Sequence, residues 1–272
     1  MTDRSPPPPH TGAWLGVART GRILDWVLAR LRDAALPGVT TGRLDQLARA
    51  ALANAGASSS MLGYTDPSSD RPFPAAIAVA INDRITGSGD PDARLAPGDL
   101  VTLDLVAHRN GWHADAAVSF VVPGVGADPD LSASRRALAA AASAVTRAGI
   151  EALRPNRPWA EAVTAMDRAA QQLGVAVLRG FDGHAIGPAM HAPPRLPNHP
   201  ADLAGPDDPG GPGGPVIRTG MILAIEPVVA RLDPGFVRDA WEDRTADGSD
   251  ACFAEATVIV GRSRNLVVCG GS

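Results

Sequence analysis

Four acidic side chains and one histidine combine types and spacing that could hold metal ions. The acids lie in apolar segments predicted as strands, where an ionised carboxylate is rare unless it is paired or binds a metal. They are Asp104, Asp115, Glu226 and Glu255, and the histidine is His184, which two glycines flank. Carboxylate oxygen and imidazole nitrogen are suitable ligands for Mn, Fe, Co or Zn. Two such ions bridged by carboxylates can activate a water molecule and polarise the bond that it attacks.

An internal repeat places two of these acids in equivalent positions. The segment Gly98-Asp-Leu-Val-Thr-Leu-Asp104 corresponds to Gly220-Met-Ile-Leu-Ala-Ile-Glu226, with a glycine, an apolar strand and then a carboxylate. Asp115 and Glu255 lie on the predicted partner strands of the two acids. The alternative is that all four point outward from sheets with one solvated face. Their symmetric placement favours convergence in one crevice, where divalent cations would offset their mutual repulsion.

The elements that carry these residues recur in the same order in each half of the chain. Apolar periodicity predicts helices over 13–35, 41–54, 131–152 and 159–172. Strands are predicted over 75–82, 99–107, 113–122, 175–179, 221–230 and 252–261, with a hairpin turn at Asn110-Gly111 and a loop at 205–215. These elements indicate an α+β fold of two pseudo-symmetric halves, about 13–125 and 130–272, each with helices packed on an antiparallel sheet. We expect residues 1–12 to form a disordered, proline-rich tail.

Composition excludes several classes of function. The 272 residues are 45% hydrophobic and 20% charged, which is typical of a globular protein. A net charge of −4 offers no electrostatic basis for binding nucleic acid. No apolar run is long enough to span a membrane and no signal peptide is evident, so we expect a cytoplasmic protein. All basic residues are Arg, which excludes chemistry based on a lysine amine. Cys252 and Cys269 do not suggest a disulfide framework.

Motifs over residues 13–268 resemble those of the type I methionine aminopeptidases, in peptidase family M24 of the pita-bread superfamily of creatinases and aminopeptidases. They include Pro37-Gly-Val-Thr-Thr-Gly-Arg-Leu-Asp45, Leu62-Gly-Tyr64, Ile81-Asn82, Gly111-Trp-His-Ala-Asp115, Gly183-His-Ala-Ile-Gly187, Ile225-Glu-Pro227 and Glu255-Ala-Thr257. The resemblance implies a pita-bread fold with a dinuclear metal site in its central crevice.

The resemblance also implies a role for each candidate residue. Asp104 would bind one divalent ion, and His184 and Glu226 the other, while Asp115 and Glu255 would bridge both. His191 would hydrogen-bond the scissile carbonyl, and Glu226 could also accept a proton from the attacking water. The pocket for the first side chain of the substrate would be formed by Met61, Tyr64, Ala78, Met190 and Trp241.

Departures from the family pattern lie in the residues that would surround the substrate. The family places a substrate-contacting His after the Ile-Asn motif, and the aligned residue here is Gly87. Ala256 stands where the family usually has His, and Met190 where an aromatic residue is usual. Ala116, Ala117 and Val106 replace residues that commonly carry hydroxyls. An insertion at 66–74, rich in Pro and Ser, would lie at the rim of the pocket.

The leading hypothesis is a dinuclear aminopeptidase-type hydrolase, in which a bridging hydroxide attacks the carbonyl of an N-terminal residue. An alternative is a repurposed metalloenzyme of the same fold that acts on a small molecule or a modified peptide, because Gly87 replaces the usual imidazole. A gain in methionine cleavage by Gly87→His would favour the first. A non-catalytic binding module would be expected to lose its metal ligands, and none is lost. We expect a monomer whose partner is a peptide N-terminus or a small-molecule substrate.

Overall fold

Four α-helices form the outer layer of the protein. In the computed structural model, residues 11–65, 71–87, 90–203, 213–239 and 241–271 are described. The helices are α1 (Thr11–Ala34), α2 (Thr41–Asn54), α3 (Pro129–Ala152) and α4 (Ala160–Gln172), and a short 3-10 turn spans Pro200–Asp202. All four predicted helices are confirmed within two residues. The predicted tail lies outside the described residues, except that Thr11 and Gly12 already belong to α1.

The first half of the chain forms an antiparallel sheet behind α1 and α2. Its strands are β1 (Ser58–Ser59), β2 (Ala78–Ile81), β3 (Leu100–Arg109) and β4 (Trp112–Val121). The long strand β3 pairs with the other three. Asn110 and Gly111 have φ angles of 50° and 82°, as a two-residue hairpin turn between β3 and β4 requires. The predicted hairpin is therefore confirmed, and it sets Asp104 and Asp115 on adjacent strands.

The second half contains more and shorter strands than the sequence predicts. They are β5 (Ala176–Val177), β6 (Asp182–Ala185), β7 (Ala192–Pro197), β8 (Ile222–Ile225), β9 (Val228–Ala230), β10 (Phe236–Asp239), β11 (Glu242–Thr245), β12 (Ala251–Phe253), β13 (Ala256–Ile259) and β14 (Leu266–Gly270). One sheet has the order β14-β13-β8-β6-β7, a second has the order β12-β9-β5, and β10 and β11 form a separate hairpin. The predicted loop at 205–215 falls largely outside the described residues.

Two predicted strands are wrong in their continuity, since each is divided at a candidate metal ligand. The segment 221–230 breaks at Glu226-Pro227 into β8 and β9, and 252–261 breaks at Ala254-Glu255 into β12 and β13. Because Pro227 has no N–H to donate, a regular ladder cannot continue through it. On either side of the breaks β8 pairs with β13 and β9 with β12, so the expected pairing of these two segments is confirmed.

The internal repeat corresponds to a repeated turn in the fold. Gly98 and Gly220 have φ angles of 88° and 92°, a region that favours glycine. The N–H of Gly98 donates to the carbonyl of Val122, and that of Gly220 to the carbonyl of Val260. Each glycine thus closes the same two-strand arrangement, which confirms that the halves are structurally related.

Each half has its own apolar core, and residues cross between the cores. The first core is built from α1, α2, β3 and β4, and the second from α3, α4, β8, β12 and β13. Val268 and Cys269 of β14 pack into the first core, whereas Leu100 of β3 packs into the second. Among the described residues, no helix combines the length and apolar character needed to cross a membrane.

A buried threonine joins the two halves at the crevice. The Thr257 hydroxyl on β13 donates to the carbonyl of Asp115 at 2.8 Å and accepts from the N–H of Asp115 at 2.9 Å. Nearby, the Ser119 hydroxyl donates to the carbonyl of Phe253 at 2.6 Å. These bonds fix β4 against the second half, and they set the backbone from which the Asp115 side chain projects.

Replacement of this hydroxyl tests the connection. Thr257→Val keeps the shape but leaves the buried N–H of Asp115 without its partner, and the Asp115 carbonyl keeps only the Cys269 thiol as a donor at 3.4 Å. Thr257→Ser keeps both bonds. An unpaired buried group costs about 1–3 kcal/mol. We therefore expect urea denaturation to give a free energy of unfolding about 1–3 kcal/mol lower for Thr257→Val than for the unaltered protein. Equal free energies of unfolding for Thr257→Val and Thr257→Ser would contradict a stabilising role of these hydrogen bonds.

Candidate metal centre

The β3–β4 hairpin presents two carboxylates to the crevice. Asp104 lies opposite Ala117, and Asp115 lies opposite Val106. The two acids therefore sit diagonally on one face of the hairpin, where the side chains of neighbouring strands can meet. Asp115 is buried at 3% exposure, whereas Asp104 is partly open to the crevice.

The second half supplies two further carboxylates from the points where its strands are broken. Glu226 lies between β8 and β9, and Glu255 lies between β12 and β13. Glu255 is 1% exposed, and its N–H donates to the carbonyl of Ala117 at 3.1 Å. The Thr146 hydroxyl on α3 donates to the carbonyl of Ala254 at 2.7 Å. The break in the second segment is thus anchored on both sides.

His184 on β6 completes the cluster. Its Nε2 lies 3.4 Å from Oε1 of Glu226 and 3.7 Å from Oδ2 of Asp115. Its Nδ1 lies 3.1 Å from the carbonyl oxygen of Ala185, which can only accept a hydrogen bond. That bond places the proton on Nδ1 and leaves the lone pair of Nε2 directed at the carboxylates, the usual arrangement of a metal-binding histidine.

The electrostatics of the cluster are those of a cation site. Burial raises the pKa of Asp115 to about 7. Burial and then the Asp115 carboxylate raise the pKa values of Glu226 and Glu255 well above their usual range. Burial lowers the pKa of His184 to about 4, so its ring is neutral at physiological pH. The cluster therefore combines concentrated acidic groups with a neutral imidazole ligand.

Two buried oxygen atoms support the same interpretation. Asp115 Oδ1 and Glu255 Oε1 are fully buried and make no hydrogen bond in the part of the chain that the structure describes. A buried carboxylate oxygen without a partner is costly, and a cation would satisfy it. Ligand atoms of Asp104, Asp115 and Glu255 lie within 4.8 Å of one another, as do those of His184, Glu226 and Glu255. The residues fit divalent cations.

A second histidine lies beside the cluster. The rings of His184 and His191 meet edge to face with their centroids 4.5 Å apart. Nδ1 of His191 lies 3.1 Å from the Tyr64 hydroxyl, which holds the ring from the far side. A ligand atom of His191 also comes within 4.8 Å of ligand atoms of Asp115 and His184. His191 is therefore placed to contact a molecule bound at the cluster.

An aromatic group forms one wall next to His191. The rings of Tyr64 and Trp241 have centroids 6.2 Å apart, and Phe73 meets Trp241 edge to face at 5.5 Å. Met190 is buried in the first core, and Met61 and Tyr64 pack against that core. Phe73 was not predicted as part of this wall, because it lies in the region assigned to the insertion. Its apolar character within a Pro-rich segment was the available signal.

The remaining predicted pocket positions are less open. Ala78 on β2 is buried and lies opposite Asp104 in the ladder. Gly87 has a φ angle of 121°, and a Cβ built there would lie 2.7 Å from the carbonyl oxygen of Trp241. The direction of a side chain at position 87 is thus toward the backbone of the β10–β11 hairpin.

The small residues next to the ligands are accommodated by apolar packing. Ala116 lies in the first core, and Ala117 packs with a smaller cluster that includes Ile85 and Phe253. Ala256 is fully buried in the second core. Apolar neighbours surround these three positions, which explains why alanine is tolerated there.

A hydrogen-bonded pair beside the site was also missed. The Ser60 hydroxyl lies 2.7 Å from Nδ1 of His113, whose ring is 4.6 Å from that of His108. His113 lies two residues before Asp115 on β4, so both side chains are on the crevice face. The alternation along β4 was the sequence signal that could have identified it.

The chain is similar to known proteins in both sequence and structure. The methionine aminopeptidase 1 of Mycobacterium tuberculosis (strain CDC 1551 / Oshkosh) is 36% identical over 254 residues, covering 90% of this chain and 87% of the relative. The methionine aminopeptidase of Aquifex aeolicus (strain VF5) is 29% identical over 255 residues, covering 93% of this chain and 94% of the relative.

Solved structures support the fold. The crystal structure of methionine aminopeptidase from Thermotoga maritima superposes with a TM-score of 0.83 at 23% identity, covering 96% of this chain and 98% of that chain. The prolidase from Pyrococcus horikoshii OT3 gives a TM-score of 0.67 at 14% identity, covering 96% of this chain and 62% of the prolidase chain. The predicted pita-bread fold is confirmed.

The profile of metallopeptidase family M24 matches residues 16–262, nearly the whole of the described chain. Together with the sequence relatives, this match settles the family. The chain belongs to metallopeptidase family M24.

Proposed function

We propose that this protein is a dinuclear metal-dependent aminopeptidase that removes the N-terminal residue from peptides, with methionine as the preferred residue. The convergence of Asp104, Asp115, His184, Glu226 and Glu255 on one crevice carries the proposal. Membership of family M24 and the relatives named methionine aminopeptidase support it.

Two divalent cations, drawn from Mn, Fe, Co or Zn, would divide these ligands between them. Asp104 would hold one ion, and His184 with Glu226 the other. Asp115 and Glu255 would serve both. The two groups of ligand atoms that lie within 4.8 Å of one another share Glu255, which supports a bridging role for this residue.

When bound, the ions supply an activated water molecule and polarise the carbonyl that it attacks. The protein contributes the proton transfers and the orientation. The Glu226 carboxylate faces the crevice with 25% of its side chain exposed, where it can accept the proton of the water and pass it to the departing amine. The imidazole of His191 can donate a hydrogen bond to the carbonyl oxygen as negative charge develops there.

The wall beside His191 supports an unbranched apolar first residue. Met61, Met190 and the rings of Tyr64, Phe73 and Trp241 present sulfur and aromatic surfaces. A methionine side chain is flexible, and its thioether packs favourably against aromatic ring edges. The cytoplasmic location and the monomeric state remain predictions.

Neutralising a shared ligand tests the proposal. Glu255→Gln keeps the shape of the side chain but removes its charge. We expect the variant to lose metal in elemental analysis and to hydrolyse a Met-initiated peptide more than about 100-fold slower. Glu161→Gln, which changes a partly exposed acid on α4 that pairs with Arg157, is the matched control and should retain both properties.

Two outcomes would count against the proposal. The first is full metal content and full activity in Glu255→Gln. The second is no turnover of Met-, Ala- or Gly-initiated peptides by the unaltered protein with Mn, Fe, Co or Zn.

The raised pKa values predict an unusual dependence of stability on pH for the metal-free protein. Acids with a pKa above that of the unfolded chain hold protons that unfolding releases, so the free energy of unfolding falls as pH rises through their titration. The pKa values of His113 and His184 are lowered from 6.5 to about 4, so these histidines act in the opposite direction, and their effect fades as the pH rises above 6.5. From pH 6.5 to 8 the buried acids, Asp115 among them with a pKa of about 7, determine the slope.

The melting temperature measures this effect. In EDTA it should fall between pH 6.5 and 8, whereas in excess Mn²⁺ this fall should be absent, since the carboxylates are deprotonated both in the metal-bound protein and in the unfolded chain. Parallel curves with and without Mn²⁺ would show that the cluster does not bind the cation.

A further inference from the structure

The β10–β11 hairpin is attached to the segment that follows β2. The N–H of Ile85 donates to the carbonyl of Asp243 at 2.7 Å, and the N–H of Thr245 donates to the carbonyl of Asp83 at 2.9 Å. An ion pair between Arg84 and Glu242, at 2.9 Å, reinforces the contact. Residues 83–85 therefore lie against β11 in the manner of a third strand.

Gly87 lies close against the backbone of the hairpin. The N–H of Val79 on β2 donates to the carbonyl of Gly87 at 3.0 Å, which fixes the glycine from one side. On the other side, an added Cβ would meet Trp241 O at 2.7 Å and the Cα of Glu242 at 3.0 Å. Both are backbone atoms, so a side chain at position 87 could fit only if the hairpin moved away.

The tip of the hairpin reaches the proposed substrate pocket. The indole N–H of Trp241 donates to the carbonyl of Arg71 at 2.6 Å, and the ring packs against Phe73 and Tyr64. Tyr64 in turn hydrogen-bonds His191. The placement of the hairpin therefore determines where the pocket wall stands relative to His191.

We propose that Gly87 is a positioning residue, whose lack of a side chain lets the hairpin place Trp241 as a wall of the substrate pocket. The expected effect of Gly87 on substrate binding rests on the proposed aminopeptidase function. Its effect on the attachment of the hairpin does not. Glycine at position 87 is thus a requirement of this pocket, and an imidazole introduced there displaces Trp241.

Gly87→Ala is compared with Gly174→Ala. Gly174 also has a positive φ angle, but open space surrounds the position of its Cβ, so the control introduces backbone strain without a clash. Hydrogen exchange of the Ile85 and Thr245 amides reports attachment of the hairpin. Steady-state kinetics on a Met-initiated peptide, with the metal-loaded full chain, report the pocket.

In Gly87→Ala, exchange of both amides should accelerate roughly tenfold or more relative to Gly174→Ala. KM should rise by about tenfold, with kcat changed less than about threefold, because the wall contributes to binding. Gly87→His should show the same losses, because its Cβ meets the same backbone atoms, so the absence of a gain in this variant does not count against the proposed aminopeptidase function. Trp241→Phe should raise KM while both amides keep the exchange rates of the unaltered protein.

Three results would overturn the positioning role: equal exchange in Gly87→Ala and Gly174→Ala, accelerated exchange with an unchanged KM, or a rise in kcat/KM for Gly87→His. If the unaltered protein cleaves no peptide but Gly87→Ala still accelerates exchange, the proposed function fails while the attachment of the hairpin by Gly87 stands.

Discussion

Mutual repulsion among buried carboxylates is the constraint on which the rest of this structure depends. Asp104, Asp115 and Glu255 bring ligand atoms within 4.8 Å of one another, and Glu226 joins Glu255 in the adjoining group. Two full charges about 4 Å apart repel by about 4 kcal/mol at an effective dielectric of about 20. The metal-free protein relieves this repulsion by holding protons, whereas bound cations would relieve it by neutralising the charges. The same cluster therefore destabilises the metal-free protein and is the basis of the proposed chemistry.

The two halves are joined so that this cluster is preserved. The β3–β4 hairpin supplies two acids from a regular ladder, while the second half supplies two from places where the ladder is broken. Thr257 ties the halves together at the backbone of Asp115, and Thr146 holds the break before Glu255. Rigid backbone on both sides keeps the ligands close despite their repulsion. The proposed substrate pocket is built differently, because its wall consists of the β10–β11 hairpin and the segment before β2, whose rings meet at Trp241.

The sequence allowed the five metal-ligand candidates and the fold class to be predicted. A carboxylate in an apolar strand is rare without a metal or a charged partner, and the glycine-led repeat indicates two equivalent halves. It did not reveal that Glu226 and Glu255 interrupt their strands, since the apolar runs continue through both positions. The short β10 and β11 strands also escaped prediction, because their polar residues lack a clear alternation. The surroundings of Gly87 could not be anticipated, since the contact with Trp241 depends on how two segments distant in the chain pack together.

The most direct measurement is a diffraction experiment on crystals grown with Mn²⁺, with data collected at the manganese absorption edge. The account predicts two anomalous difference peaks in the crevice, one next to Asp104 and one next to His184 and Glu226, with Asp115 and Glu255 between them. An ordered crevice without any anomalous peak, in crystals saturated with the cation, would contradict it.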